Sequence, residues 1–210
     1  MLDTLSENPL LFVISAISLV IAITVHEFAH AKTADHLGDP TPRLQGRLTL
    51  NPLAHLDLYG TLFLLFFGFG WGKPVQFDPF NLKHPRKDAA LISVAGPLSN
   101  FAMAIICSIL LGLFTFFKIS TIVTIGSVFL TPFIIMNLIL GVFNLIPIHP
   151  LDGFKIVGGV LNEKQAKEWY QLERFGIIFL LLLIFPFPGG SMLHKILDPI
   201  LQFLYGIFIP

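Results

Sequence analysis

Residues 24–32 read TVHEFAHAK. His26 and His30 are four positions apart. On a helix that spacing places both on one face, about one turn apart, where both imidazoles can reach one ion. Glu27 follows the first histidine, the position of a general base in zinc-dependent hydrolysis. A metal held this way polarises a carbonyl and activates a water. Two histidines do not complete such a site, because a catalytic zinc takes three protein ligands and keeps the fourth position for water.

The best candidate for the third ligand lies in FNLIPIHPLDGFK, residues 143–155. Asp152 there follows a long apolar stretch and two prolines, Pro147 and Pro150. Proline removes backbone donors and breaks a helix. At membrane depth a broken backbone is tolerated only where protein or a water-filled cavity surrounds it. A carboxylate and a cavity are therefore expected to meet at Asp152. Pro-x-Asp-Gly is also ordinary turn chemistry, and taken alone the two readings are evenly matched. Beside HEFAH the ligand reading is the stronger.

The elements that must carry these residues are membrane helices. Of 210 residues, 54% are hydrophobic and 12% charged, against about 25% charged in soluble domains. Mean hydropathy is +0.79. Zero net charge gives no reason to expect a nucleic-acid partner. The single cysteine, Cys107, excludes an internal disulfide and a Cys-based zinc site and is expected as an apolar filler. The N-terminus carries Asp3 and Glu7 and no basic residue, the wrong polarity for a cleaved leader. Charge-free stretches run from 8 to 25, 89 to 117 and 119 to 148, each long enough to span a bilayer. The run from Leu58 to Gly72 is shorter and reads as a re-entrant segment or hairpin packed against protein. Residues 172–208 read as one further span and a short one. The expected fold is an all-α polytopic membrane protein of about five membrane helices plus this short segment. It forms a single domain over 1–210, with a catalytic core over about 9–153.

Lysines and arginines gather at 32–47, 73–87 and 155–167, which predicts those loops on the cytoplasmic side and the N-terminus outside. Gly38 is expected to end the first long helix. His30 then lies on the order of 10 Å inside the helix end, embedded but near the cytoplasmic face. Ionisable groups at that depth are costly and usually functional.

HEFAH near the end of one membrane helix and NLIPIHPLDG at the end of a later one resemble the site-2 protease family of intramembrane zinc metalloproteases. GRLTLNPLAHLD (46–57), GKPV (72–75) and AGPLSN (95–100) add to the resemblance, which covers residues 26–153. It implies one zinc ion per chain held by His26, His30 and Asp152, with Glu27 as the catalytic glutamate, in a minimal member without PDZ- or CBS-like extensions. The implied substrates are single-span membrane proteins. His149 stands where relatives often carry proline, which raises contact with metal or substrate there.

Other polar residues complete the expectation. Asn144, on the broken segment, is the candidate oxyanion donor, since a membrane-buried amide needs a partner. Asn100 could support the same site or the substrate, or simply bridge helices. His55 could approach substrate, with a structural hydrogen bond the stronger reading. His36, His84 and His194 are expected to face solvent. Trp71 and Trp169–Tyr170 fit interfacial anchoring, and 163–174 a cytoplasmic, partly amphipathic helix. The competing function is a membrane metal transporter using His26, His30 and Asp152 in transit. The paired broken segments of two similar halves that transporters show are missing from the sequence, and Glu27 has a clear task only in hydrolysis. A catalytically dead chaperone is disfavoured by the complete ligand-and-glutamate set.

Overall fold

The computed structural model describes residues 7–67, 70–118, 120–188 and 190–210. Residues 1–6, with the acidic N-terminus, lie outside the described residues, as do Gly68 and Phe69 within the short apolar run.

The first long helix, α1, spans Pro9–His36. The Asn8 side chain caps it by accepting from the Leu11 amide, and Pro9 supplies a preset first turn. It ends at Gly38, whose φ of +106° is the conformation that favours glycine, as expected. A single turn, α2, follows at Thr41–Leu44, and α3 spans Leu58–Phe67. Helix α4 runs Pro85–Phe116 and α5 runs Ser120–Asn144. Asp152–Val160 forms α6 and Glu163–Tyr170 forms α7, the latter opened by a reciprocal Asn162–Gln165 capping box. After a 3-10 turn at Gln171–Phe175 come α8, Gly176–Ile184, and α9, Met192–Phe208. A two-residue hairpin joins them, β1 (Pro186–Phe187) pairing antiparallel with β2 (Gly190–Ser191).

Among the described residues, α1, α4 and α5 are the three helices long and apolar enough to cross a bilayer. Helices α3, α8 and α9 have 10, 9 and 17 residues, below the ~20 a straight crossing takes.

Helix α4 is the hub, packing on α1, α5 and α6. Its Ala104, Cys107 and Leu111 join Ile134, Leu138 and Val142 of α5 and Leu197 and Leu201 of α9 in the main core. Cys107 is thus the apolar filler that its surroundings predicted. The outward faces stay apolar: Ile17, Ile106, Ile109, Ile125 and Phe129 are each more than half exposed. Such a continuous apolar surface is built for lipid.

The loops on the HEFAH side are tied by polar groups. Buried Arg47 forks onto the carbonyls of Ala54 and Lys73, and Leu56 pairs with Gly72 in an isolated antiparallel bridge. Asp39 is fully buried and accepts from Thr41, the Asp78 amide and the Asn81 side chain. Burial pushes the Asp39 carboxyl up, but these hydrogen bonds outweigh it and hold the group below its ordinary value. Trp169 is half-buried. Its Nε1 donates to the Phe154 carbonyl (2.9 Å) and its ring stacks on Phe154, fastening α7 under α6.

Candidate metal centre

His26 and His30 lie one turn apart on the buried face of α1, and Asp152 opens α6. Asp152 Oδ2 is 3.1 Å from His26 Nε2 and 3.2 Å from His30 Nε2, and the two Nε2 atoms are 3.0 Å apart. Among the described residues this is the one group of three such side chains placed to hold an ion.

The hydrogen bonds on the far side of each ring fix what the near side offers. His30 Nδ1 lies 2.6 Å from the Ile92 carbonyl, which can only accept. That nitrogen must donate, so a neutral His30 presents a lone pair at Nε2. His26 Nδ1 donates likewise to Asn100 Oδ1 at 2.7 Å. Two imidazole lone pairs and a carboxylate oxygen therefore converge, an arrangement that repels itself unless a proton or a cation stands between them. Asp152 Oδ2 is buried without a hydrogen-bond partner. Ligands about 2.0 Å from a tetrahedral ion stand about 3.3 Å apart, close to the separations found. The donor set, its spacing and the orphaned oxygen fit a zinc ion.

Helix α4 supplies the surroundings. Gly96 lies against both rings, and a Cβ there would press on His30 Nε2 and Cε1 and on His26 Cε1, closer than real Cβ contacts come. Pro97 interrupts the hydrogen-bond ladder in the same turn that offers the Ile92 carbonyl to His30. Asn100 is fully buried, and its amide donates to the Ala22 carbonyl (3.1 Å) and to Asn137 Oδ1 (3.0 Å). Asn137 is anchored in turn on the Phe133 carbonyl.

Asn100 is thereby tied into the helix bundle. Its oxygen and both N–H groups are taken by α1 and α5, so it bridges helices and orients His26. Partners of this kind fix the tautomer of a metal-binding histidine, and their loss costs about 10–100-fold in affinity. Asn100→Ala is expected to weaken zinc binding by that factor, and Asn100→Asp, which keeps the acceptor, by less. Competition with a chromophoric chelator on the solubilised protein measures both.

Glu27 points to the other loop. Its Oε2 accepts from the Val75 amide at 2.8 Å. Burial holds the Arg47 guanidinium below its ordinary value, and the Glu27 carboxylate offsets part of that shift. His55 lies in the 46–57 loop. It is fully buried, and its Nε2 donates to the Thr49 carbonyl, a structural bond within its own loop. Asn144 is the last residue of α5, half-buried, and one of its N–H groups bonds the Leu140 carbonyl (3.0 Å). His149 packs edge-on to Phe154, with its Nδ1 3.6 Å from Glu173 Oε1, and lines an apolar cavity of about 450 Å³ with Trp169 and Phe179. His36, His84 and His194 are exposed, as expected.

Asn137, Gly96 and Val75 escaped the sequence reading. Asn137 carried a signal, a lone amide in an apolar span. Gly96 and the Val75 amide carried none beyond their place in the short motifs AGPLSN and GKPV.

Comparison with known proteins supplies the remaining link. Residues 14–130 and 110–185 match the model of the family described as Peptidase family M50. The chain is 39% identical over 202 residues to "Putative zinc metalloprotease YwhC" of Bacillus subtilis (strain 168), covering 92% of each protein. It is 30% identical over 178 residues to "Putative zinc metalloprotease Rip2" of Mycobacterium tuberculosis (strain ATCC 25618 / H37Rv), covering 82% of this chain and 66% of Rip2. With "Zinc metalloprotease MJ0392" of Methanocaldococcus jannaschii it shares 26% identity, over 77% of this chain and 38% of that longer protein. No solved structure matches it significantly. With the family matched over most of its length and three apolar helices to hold it in a bilayer, the chain belongs to peptidase family M50 and is an integral membrane zinc metalloprotease.

Proposed function

We propose that this protein is an intramembrane endopeptidase that hydrolyses peptide bonds within or next to transmembrane segments of other membrane proteins. The observation that carries the reading is the convergence of His26, His30 and the partnerless Asp152 oxygen between helices whose outer faces suit lipid. In this reading those three residues hold the single zinc ion. Bound there, zinc polarises the scissile carbonyl and lowers the pKa of water to roughly 7.

The chain's own residues do the rest. Glu27 takes the proton of the attacking water and returns it to the leaving amine. Asn144 keeps one N–H beyond its Leu140 bond, and that group is the donor for the developing oxyanion. His30 is six residues from the end of α1 at His36, about 9 Å along the axis, which supports a site near the basic end of that helix; in this reading that end is cytoplasmic and the N-terminus lies outside. The whole chain acts as one domain. Helices α8 and α9, together with the re-entrant segment at 58–72, complete the membrane passages that α1, α4 and α5 begin.

Every peptide bond of an intact membrane helix is hydrogen-bonded and covered, so cleavage needs local unwinding. The preferred substrates are single-span proteins with Gly, Pro or Asn near the cut. The test is cleavage of a panel of Leu-rich single-span proteins in proteoliposomes, with and without such breaks and with and without a chelator. Broken spans should be cut faster, and the chelator should stop cleavage. Equal rates on broken and unbroken spans would refute the unwinding requirement. Full activity after Asp152→Ala would refute the site.

A further inference from the structure

A glutamate on a helix has three rotatable side-chain bonds, and a general base must sit within about 2.6–3.2 Å of the atom whose proton it takes. Something must hold Glu27, and its hydrogen-bond partner lies outside α1. The arrangement is set residue by residue along the segment that follows Gly72. The Lys73 N–H donates to the His55 carbonyl at 2.8 Å, and the Lys73 carbonyl accepts from Arg47. Both backbone groups of Lys73 are thereby consumed by the 46–57 loop. Pro74 has no N–H and a preset φ. The next donor along the chain is Val75, and its N–H meets Glu27 Oε2 at 2.8 Å. Arg47, only 4% exposed, holds Lys73 with one guanidinium branch and Ala54 with the other.

We propose that Arg47 and the Val75 backbone amide form a positioning device for the Glu27 carboxylate. They fix one carboxylate oxygen so that the other faces the reacting water. This rests on the reading of Glu27 as the base. Arg47 acts through the loop, its two guanidinium branches bonding the Ala54 and Lys73 carbonyls. The planar fork of arginine suits two diverging carbonyls in a way a lysine ammonium does not.

The variants are Val75→Pro, which removes the N–H; Val75→Ala, which keeps it; and Arg47→Lys, which keeps the charge and loses the fork. Each full-length variant is assayed in proteoliposomes on the panel protein that the unaltered enzyme cuts fastest. Rates are expressed per bound zinc, so that unfolded protein drops out. Val75→Pro is expected to lower kcat about 100-fold, the cost of misplacing a reacting group by about 1 Å, with KM little changed. Arg47→Lys should shift kcat the same way by less, and Val75→Ala should stand well above Val75→Pro. Unchanged kcat per bound zinc in both Val75→Pro and Arg47→Lys overturns the proposal. So does a loss confined to KM, which would make the segment a substrate edge and nothing more. Glu27→Gln, run beside them, separates the two readings. If it retains full kcat, Glu27 is not the base. If it fails while Val75→Pro does not, only the positioning device is lost.

Discussion

Glu27→Gln is expected to lower kcat by on the order of 10²–10⁴-fold, the usual worth of a general base, while zinc stays bound at one per chain. The amide is nearly isosteric with the carboxylate, and its oxygen can still accept from the Val75 N–H that now meets Glu27 Oε2 at 2.8 Å. The loop should therefore keep its place, and only the capacity to take a proton is lost. Zinc should remain because the three converging donor atoms come from His26, His30 and Asp152 and not from Glu27. Single-turnover cleavage in proteoliposomes and elemental analysis of the same sample read the two quantities together. A metal transporter built on the same three side chains need not lose its flux in this variant. A cleavage rate within a few-fold of the unaltered enzyme would remove Glu27 from the mechanism.

Why HEFAH could be read directly, and its surroundings could not, is a matter of distance along the chain. His26 and His30 meet because a helix brings positions four apart onto one face, a local rule that needs no tertiary knowledge. Helices α1, α4 and α5 were legible for a similar reason, since length and apolar content alone decide whether a segment can cross a bilayer. Asp152 was half legible. Prolines and an acid after an apolar run announced a special place, but nothing in the sequence measured its distance to the histidines. Asn100 was visible as a costly polar residue, yet its partner, His26 Nδ1, is 74 positions away. The Val75 contribution is a backbone N–H, a group every residue except proline carries, so no residue type could announce it. Trp169 read as an interfacial anchor, and no rule along the chain pointed to the Phe154 carbonyl that receives its N–H. The C-terminal helices were blurred because nine- and seventeen-residue apolar segments fit a buried helix and a partial span equally well.

Gly96 yields the sharpest test of how α4 and α1 cooperate, because its sign opposes the ordinary rule. Replacing a mid-helix glycine by alanine stabilises a helix by about 1 kcal/mol through backbone entropy and propensity. Gly112, on the same helix, has open space where its Cβ would go, so Gly112→Ala should gain that increment and leave zinc binding alone. At Gly96 the added methyl would meet His30 Nε2 and Cε1 and His26 Cε1. The rings must swing away or the two helices must part. Either movement strains the Nδ1 bonds to Asn100 and to the Ile92 carbonyl together. Loss of one orienting partner costs about 10–100-fold in metal affinity, and disturbing two places Gly96→Ala at the upper end or beyond, on the order of 100-fold. One methyl group that touches no substrate should thus rival removal of a ligand, with proteolysis lost in parallel and recovered in part by excess zinc. Zinc affinity and thermal unfolding of the two alanine variants, measured side by side, decide the matter. If Gly96→Ala binds zinc as tightly as Gly112→Ala, the close approach of α4 to the two histidines is not what sets the metal centre.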